Sequence, residues 1–523
     1  MNGAQIQWIT AGALLLFAVL MISIGVISYR KAKTIDGFLL GGRNVGPIVS
    51  AFAYGTSYFS AVIFVGYAGK HGWDIGMSSM WIGVGNAVLG CLLAWCVLAK
   101  PTRRMTHRLK SKTMPEFFEG RYDSKALKII SALIIFIFLV PYSAAVYKGL
   151  GAMFNVIFPN ISVNWCMFII AALTAVYLVL GGYLATVYTD FVQGIIMIGG
   201  IALMIVSVLK YLGANGTDNV FEALAAIPMG EDGVSGAKLT SVWGGSSFKF
   251  LCTNILLTSF GVWGLPQMVQ KFYTIRSETA IQTGMIVSTV FALIVAGGCY
   301  FLGGFGRLFS ESIDVAVNGY DSIIPTMLSD LPDVLIALVI ILVLSASMST
   351  LSSLVIASSS TLTIDVIKDN IVADMSEKKQ LTCIRFLIVV FIAVSVVIAI
   401  IQYKGNLSFI AQLMGISWGA LAGSFLAPFL FALYWRKTSL AACWTCFLFG
   451  SGVMIANMLF PQLFPPLLQS PINAGAFVML AGFVIVPVVS LLTPKPDPIF
   501  IRHAFACYEK KVEAAQKLTL GGK

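Results

Sequence analysis

The chain is 523 residues long, 58% hydrophobic and only 11% charged, with 49 glycines. A water-soluble domain of that size does not carry so much apolar surface, so the composition predicts an all-α integral membrane protein. The net charge of +11 does not point to a nucleic-acid partner, because the basic residues fall in alternate loops and not on one patch.

Windows of about 20 apolar residues predict thirteen spans, near 6–29, 47–70, 76–99, 127–158, 161–183, 187–212, 248–272, 280–303, 333–364, 382–402, 408–434, 440–459 and 473–492. The first begins behind an uncharged Met-Asn-Gly, with no basic segment before it and no small-residue cleavage site before Arg30. It reads as a retained helix, not a cleaved signal. Basic residues gather in alternate loops: Arg30, Lys31, Lys33 and Arg43; Lys100 through Lys112; Lys271 and Arg276; Lys378, Lys379 and Arg385; Arg436 and Lys437; and Lys495, Arg502, Lys510 and Lys511 in the tail. The intervening loops carry Asp218, Glu222, Glu231, Asp232, Glu311, Asp314, Asp321 and Asp330. This asymmetry predicts an outside N-terminus and a cytoplasmic C-terminus in a cell (plasma) membrane, and an odd number of spans agrees with it.

Span two is polar and glycine-containing at its midpoint, Tyr54-Gly-Thr-Ser-Tyr-Phe-Ser60. An unwound helix at that depth is tolerated only where its carbonyls line a protein-enclosed site. Span seven carries Phe260-Gly-Val-Trp-Gly-Leu-Pro-Gln267, whose Gly261, Gly264 and Pro266 weaken the helix at mid-span. The two interruptions open two five-span blocks, 47–212 and 248–434, that begin on opposite sides of the membrane. Interrupted helices at corresponding places of inverted repeats point to a transporter site. The expected organisation is one transmembrane domain, 1–492, followed by a cytoplasmic tail, 493–523, too short for a nucleotide-binding domain. The energy source is then an ion gradient.

Between these blocks, Met114–Tyr122 suggests a short interfacial helix, and the loop 213–247 is Gly-rich and acidic. Asp190 opens span six, either as a helix cap or as a site ligand. Lys148, in the outer part of span four, is expected to snorkel outward. Span nine holds Leu344-Ser-Ala-Ser-Met-Ser-Thr-Leu-Ser-Ser353, in which Ser349, Ser352 and Ser353 share one helix face. Those hydroxyls are either helix–helix glue or neutral oxygens that replace the water around a small hard cation. Cys443-x-x-Cys446 sits in an apolar span without a neighbouring His or acid, and His71, His107 and His503 lie apart, so neither a metal or redox site nor a catalytic triad is expected. The prediction is a transporter, not an enzyme. A channel is the nearer rival, though paired broken helices fit alternating access better than a continuous pore.

Several segments together resemble the sodium:solute symporter family, nearest its sodium/proline and sodium/pantothenate branches. They are Leu40-Gly-Gly-Arg-Asn-Val-Gly-Pro47, Met114-Pro-Glu-Phe-Phe-Glu-Gly-Arg-Tyr122, Gly181-Gly-Tyr-Leu-Ala-Thr-Val-Tyr-Thr-Asp190, Ser347-Met-Ser-Thr-Leu-Ser352 and the stretch Trp418-Gly through Tyr434-Trp-Arg436. The resemblance implies a LeuT-type fold with two inverted five-helix repeats, one helix before them and two after. It implies co-transport of Na+ with a small organic solute into the cell, with no organic cofactor and no obligate protein partner. Carried over by position, the main sodium site takes Thr56, Phe59, Ala346, Ser349 and Thr350, and a second cation site takes Asp190, Ser349, Ser352 and Ser353. The solute contacts implied are Tyr58, Ser60, Tyr142, Val262, Trp263 and Gln267. The chain departs from the proline branch in Tyr58, which stands where that branch has an acid, and in Thr258, Val262 and Leu265; Phe260-Gly-Val and Gly306-Arg307 lean toward the pantothenate branch. An amino acid such as proline or a pantothenate-like monocarboxylate is the expected solute, with a sugar, sialic acid or a short carboxylate as alternatives.

Overall fold

The structure, a computed structural model, describes residues 3–158, 160–230, 233–315, 319–329, 333–372, 374–405 and 410–509. Glu231, Asp232, Asp330, Lys510 and Lys511, used above in the charge pattern, lie outside the described residues. Among the described residues, ten helices are long and apolar enough to cross a bilayer, or eleven when one bent pair is counted as a single span. The main helices are α1 (Gly3–Tyr29), α2 (Pro47–Tyr58), α3 (Val62–Leu109), α4 (Lys125–Ile157), α5 (Val163–Ala214), α6 (Phe248–Gly264), α7 (Pro266–Tyr273), α8 (Thr279–Gly303), α9 (Asp333–Thr361), α10 (Glu377–Gly405), α11 (Ile410–Tyr434), α12 (Leu440–Leu459) and α13 (Pro471–Leu492). The expected interfacial helix is present as Met114–Tyr122, with the Thr113 hydroxyl capping it.

Two of these helices are too long for one crossing. α3 has 48 residues and α5 has 52, against about 20 for a bilayer span. Each breaks at a glycine with positive φ: Gly76 (φ 58°, ψ −134°) in α3 and Gly182 (φ 54°, ψ −143°) in α5. A Cβ on Gly182 would also stand 2.7 Å from the Phe38 carbonyl oxygen, so both backbone and packing require glycine there. Divided at these breaks, and with α2 joined to the first part of α3, the helices account for the thirteen predicted spans.

The two predicted interruptions are present. α2 stops at Tyr58, and Phe59 is extended (φ −105°, ψ 114°). The helix restarts past Ser60, whose Oγ accepts the Val62 N–H at 3.2 Å. α6 stops at Gly264, and Leu265 is extended (φ −79°, ψ 123°), as a residue before proline prefers. The axis bends by 50° into α7.

Burial separates the inner helices from the outer ones. In the most apolar window of α9, 83% of residues are buried, and in that of α11, 89%, against 22% for α1 and 39% for α10 and α13. The hydroxyl-rich span nine is therefore enclosed by protein on all sides. Its hydroxyls meet other helices and not lipid.

Candidate functional site

The end of α2 and the middle of α9 meet at the main predicted site. Ser349 Oγ donates to the Thr56 carbonyl at 3.0 Å and lies 3.0 Å from its own-helix Ala346 carbonyl. Thr350 Oγ1 lies 3.4 Å from the Thr56 carbonyl, 3.3 Å from that of Ser57 and 3.3 Å from that of Ala346. All five residues are fully buried or nearly so. The carbonyls face α9 because α2 is ending: the last carbonyls of a helix have no intrahelical donor. The structure thus brings Thr56, Ala346, Ser349 and Thr350 together, with Ser57 as an additional member; Phe59 is the residue at which the helix opens. The cluster offers only uncharged oxygens, a donor set suited to a hard monovalent cation that must bind and then leave.

The predicted second site is built differently. Asp190 is fully buried, but it is no helix cap. It lies two turns past the Gly182 break, inside helical backbone. Nor does it face the three serines directly: Lys271, on α7, stands between. Its Nζ is 3.4 Å from Asp190 Oδ2 and 3.0 Å from Ser353 Oγ, and Ser353 Oγ is 2.8 Å from Ser57 Oγ. Ser352 turns back to the Ser349 carbonyl at 2.9 Å. Lys271, grouped above with the loop charges, is a buried side chain at 2% exposure.

Of the predicted solute contacts, Tyr58 and Tyr142 are brought together through the Trp418 ring. The Tyr58 ring stacks on Phe59 with centroids 4.3 Å apart and lies 6.0 Å from the Trp418 ring, which meets Tyr142 edge-on at 5.9 Å. The Tyr58 hydroxyl is spent on the Thr258 carbonyl at 2.5 Å, and Trp263 Nε1 on the Leu89 carbonyl at 3.0 Å. Both polar ends are thus held by backbone carbonyls. Val262 is buried. Gln267 differs: it is 1% exposed, and neither its Nε2 nor its Oε1 has a hydrogen-bond partner. A cavity of about 10 Å³, room for about one water, lies beside Phe59, Ser60 and Ala346.

Comparison with known proteins bears on this arrangement. The profile of the sodium:solute symporter family matches residues 38–450. The chain belongs to that family. It is 26% identical over 514 residues to sodium/proline symporter 2 of Staphylococcus saprophyticus, covering 96% of each chain. To the sodium/proline symporter of Staphylococcus aureus strain JH9 it is 27% identical over 502 residues, covering 94% of each. Its structure superposes on a Na+-coupled sialic acid symporter, solved in a substrate-bound outward-open state, with a TM-score of 0.71 at 16% identity over 94% of this chain and 99% of that one. The fold is the LeuT type, and the chain is a multi-pass membrane symporter that couples sodium to a small solute.

In this symporter several polar contacts fall at places the sequence reading passed over. His71, one of the three separated histidines, is fully buried: Nδ1 lies 2.7 Å from the Tyr67 carbonyl and Nε2 2.7 Å from Asn254 Oδ1. It thereby ties the second half of span two to the first half of span seven. Lys148 does not snorkel. Its Nζ pairs with Asp321 Oδ2 at 3.2 Å, and Asp321 also accepts the Ile410 N–H. Asp365, at the C-terminal end of span nine, is fully buried, accepts from Thr113 Oγ1 at 3.0 Å and lies 3.9 Å from the Lys128 ammonium. A signal existed for Asp365, an acid within three residues of an apolar run, but a residue at a span end reads as exposed until the neighbouring helices are placed.

Proposed function

We propose that this symporter carries a small carboxylate-bearing solute, with proline first among the candidates, into the cell across the plasma membrane. The driving sodium ion binds at Thr56, Phe59, Ala346, Ser349 and Thr350. The observation that carries the sodium assignment is the convergence of the Ser349 and Thr350 hydroxyls on the Thr56 carbonyl at the open end of α2. Proline is favoured because the relatives named above, matched over 94% or more of the chain, are sodium/proline symporters, and because the rings of Tyr58, Tyr142 and Trp418 suit a compact ring; the buried, unpartnered amide of Gln267 is taken as a polar contact. A pantothenate-like monocarboxylate is the second reading, favoured by Tyr58 in place of an acid. The charge of the loops supports an outside N-terminus and a cytoplasmic C-terminus. The protein is a carrier with no catalytic step.

The deciding experiment is uptake of labelled solutes by proteoliposomes under an imposed sodium gradient. Proline, pantothenate, sialic acid, a hexose and short carboxylates are compared. Proline is expected to accumulate and to be lost when choline replaces sodium. Accumulation of another solute alone moves the substrate assignment, and equal uptake in choline at a fixed proton gradient overturns the sodium site.

A further inference from the structure

Lys271 lies on α7, the half-helix that follows the bend of span seven. Its ammonium is held by one charged and one neutral oxygen, Asp190 Oδ2 at 3.4 Å and Ser353 Oγ at 3.0 Å. The face of the Tyr183 ring lies 5.2 Å from Nζ and adds a favourable contact for a positive charge. Ser353 Oγ is 2.8 Å from Ser57 Oγ, and the Ser57 carbonyl takes the Thr350 hydroxyl at 3.3 Å. A positive group on the chain therefore stands against the acid and the serine that would otherwise take a second transported cation, one residue away from the main cluster.

Charge decides what can share that space. Asp190 is fully buried and Lys271 is 2% exposed, so their charges are poorly screened. One carboxylate compensates one monovalent cation. A sodium ion added beside the ammonium would leave a buried excess positive charge and repel it at contact distance. Lysine suits this role, being a compact point charge with three donors on a flexible stem. Unlike sodium it cannot leave for the cytoplasm.

We propose that Lys271 is a tethered cation that fills the second cation position, so that this symporter couples a single sodium ion to each solute. The inference rests on the assignment of the main sodium site to Thr56, Ser349 and Thr350. A purely structural ion pair joining α5, α7 and α9 would have the same contacts. The two differ in the number of sodium ions bound when the ammonium is removed.

The test counts bound sodium with the radioactive ion on purified full-length protein, together with the Hill coefficient of sodium-driven proline uptake. Wild type is expected to bind one ion per chain with a Hill coefficient near one. Lys271→Met leaves Asp190 without its counter-charge and is expected to bind two, with a Hill coefficient above one; Lys271→Met with Asp190→Asn returns the count to one. A wild-type count of two overturns the proposal, as does a Lys271→Met protein that binds sodium but stays at one. Where Lys271→Met does not fold, Lys271→Gln removes the charge while keeping a donor for Ser353 and is read the same way: a count of two upholds the tethered cation, and a count of one overturns it. A wild-type count of one whose affinity ignores Thr350→Ala sinks the main-site assignment, and the count in the Lys271 variant then reads the role of Lys271 by itself. A count of two sinks that role whatever Thr350→Ala does.

Discussion

Ser349 Oγ donates to the Thr56 carbonyl across 3.0 Å, joining the hydroxyl-rich middle of α9 to the opened end of α2. On the proposed assignment, a cation entering this cluster would take the carbonyl and turn the hydroxyl proton away, so the same oxygens would serve the ion-free and ion-bound states. Replacing Ser349 or Thr350 by Ala removes one oxygen from the ion. A contact between a charge and a neutral polar group contributes about 1.5–3 kcal/mol, and about 1.4 kcal/mol is tenfold in affinity. The sodium half-saturation of uptake should therefore rise by about tenfold or more, while the solute half-saturation at saturating sodium changes little. Equal losses in both would place these hydroxyls in packing and not in ion binding.

Gln267 begins the helix just past the span-seven break and has a buried amide with no partner for either polar atom. Leaving such a group unsatisfied costs about 1–3 kcal/mol, a cost that a solute carboxylate or ammonium can relieve. Gln267→Leu removes both the cost and the contact. The variant is expected to be at least as stable as wild type in detergent and to show a solute KM raised about tenfold, with sodium half-saturation little changed. An unaltered KM removes Gln267 from the solute site.

The thirteen crossings and the two broken helices were legible because each rests on local chemistry. Apolar length marks a span, and Gly264 with Pro266, or Gly55 within the polar run to Ser60, marks an interruption. The hydroxyls of α9 were legible as a cluster for the same reason. Lys271 was not. It stands five residues past Pro266, near the predicted end of span seven, where a basic residue ordinarily reaches water. Only the 50° bend between α6 and α7 accompanies its burial beside Asp190, and no local pattern encodes that bend's direction. The cap reading of Asp190 fails for a related reason. Spans five and six are predicted to meet between residues 183 and 187, whereas the backbone breaks at Gly182, and that shift places Asp190 inside the helix.

Orientation is testable by labelling. In a cysteine-less background, a cysteine introduced at Asp218 should react with a membrane-impermeant maleimide in intact cells, and one at Lys378 should react only after permeabilisation. Both positions are exposed. The opposite pattern would reverse the assignment of the loops to their sides.

Lys148 and Asp321 form an ion pair, 7% and 13% exposed. Removing one partner of a buried pair is destabilising by about 3–5 kcal/mol, whereas removing both can be nearly neutral. Asp321→Asn and Lys148→Met should each lower the Tm in detergent, and the double variant should lose less than the sum of the two. Additive losses would show that the pair does not act as a unit.

Glu278 precedes α8 and accepts Arg104 Nη2 at 2.9 Å, with Lys100 Nζ at 3.3 Å. The Arg104 hydrogen bonds hold the Glu278 carboxyl below its ordinary range. A carboxylate depressed in this way contributes stability above its unfolded value, and that contribution is lost as pH falls through the lowered folded value. Because the side chain is 35% exposed, solvent screening keeps the contribution small. Glu278→Gln should therefore melt slightly below wild type at neutral pH, and the gap should close as pH falls through and below the glutamate range near pH 4. High salt should narrow the neutral-pH gap as well. Unfolding curves of both proteins from pH 7 to pH 3 check this, and a gap independent of pH would mean that Glu278 acts through shape and not through its charge.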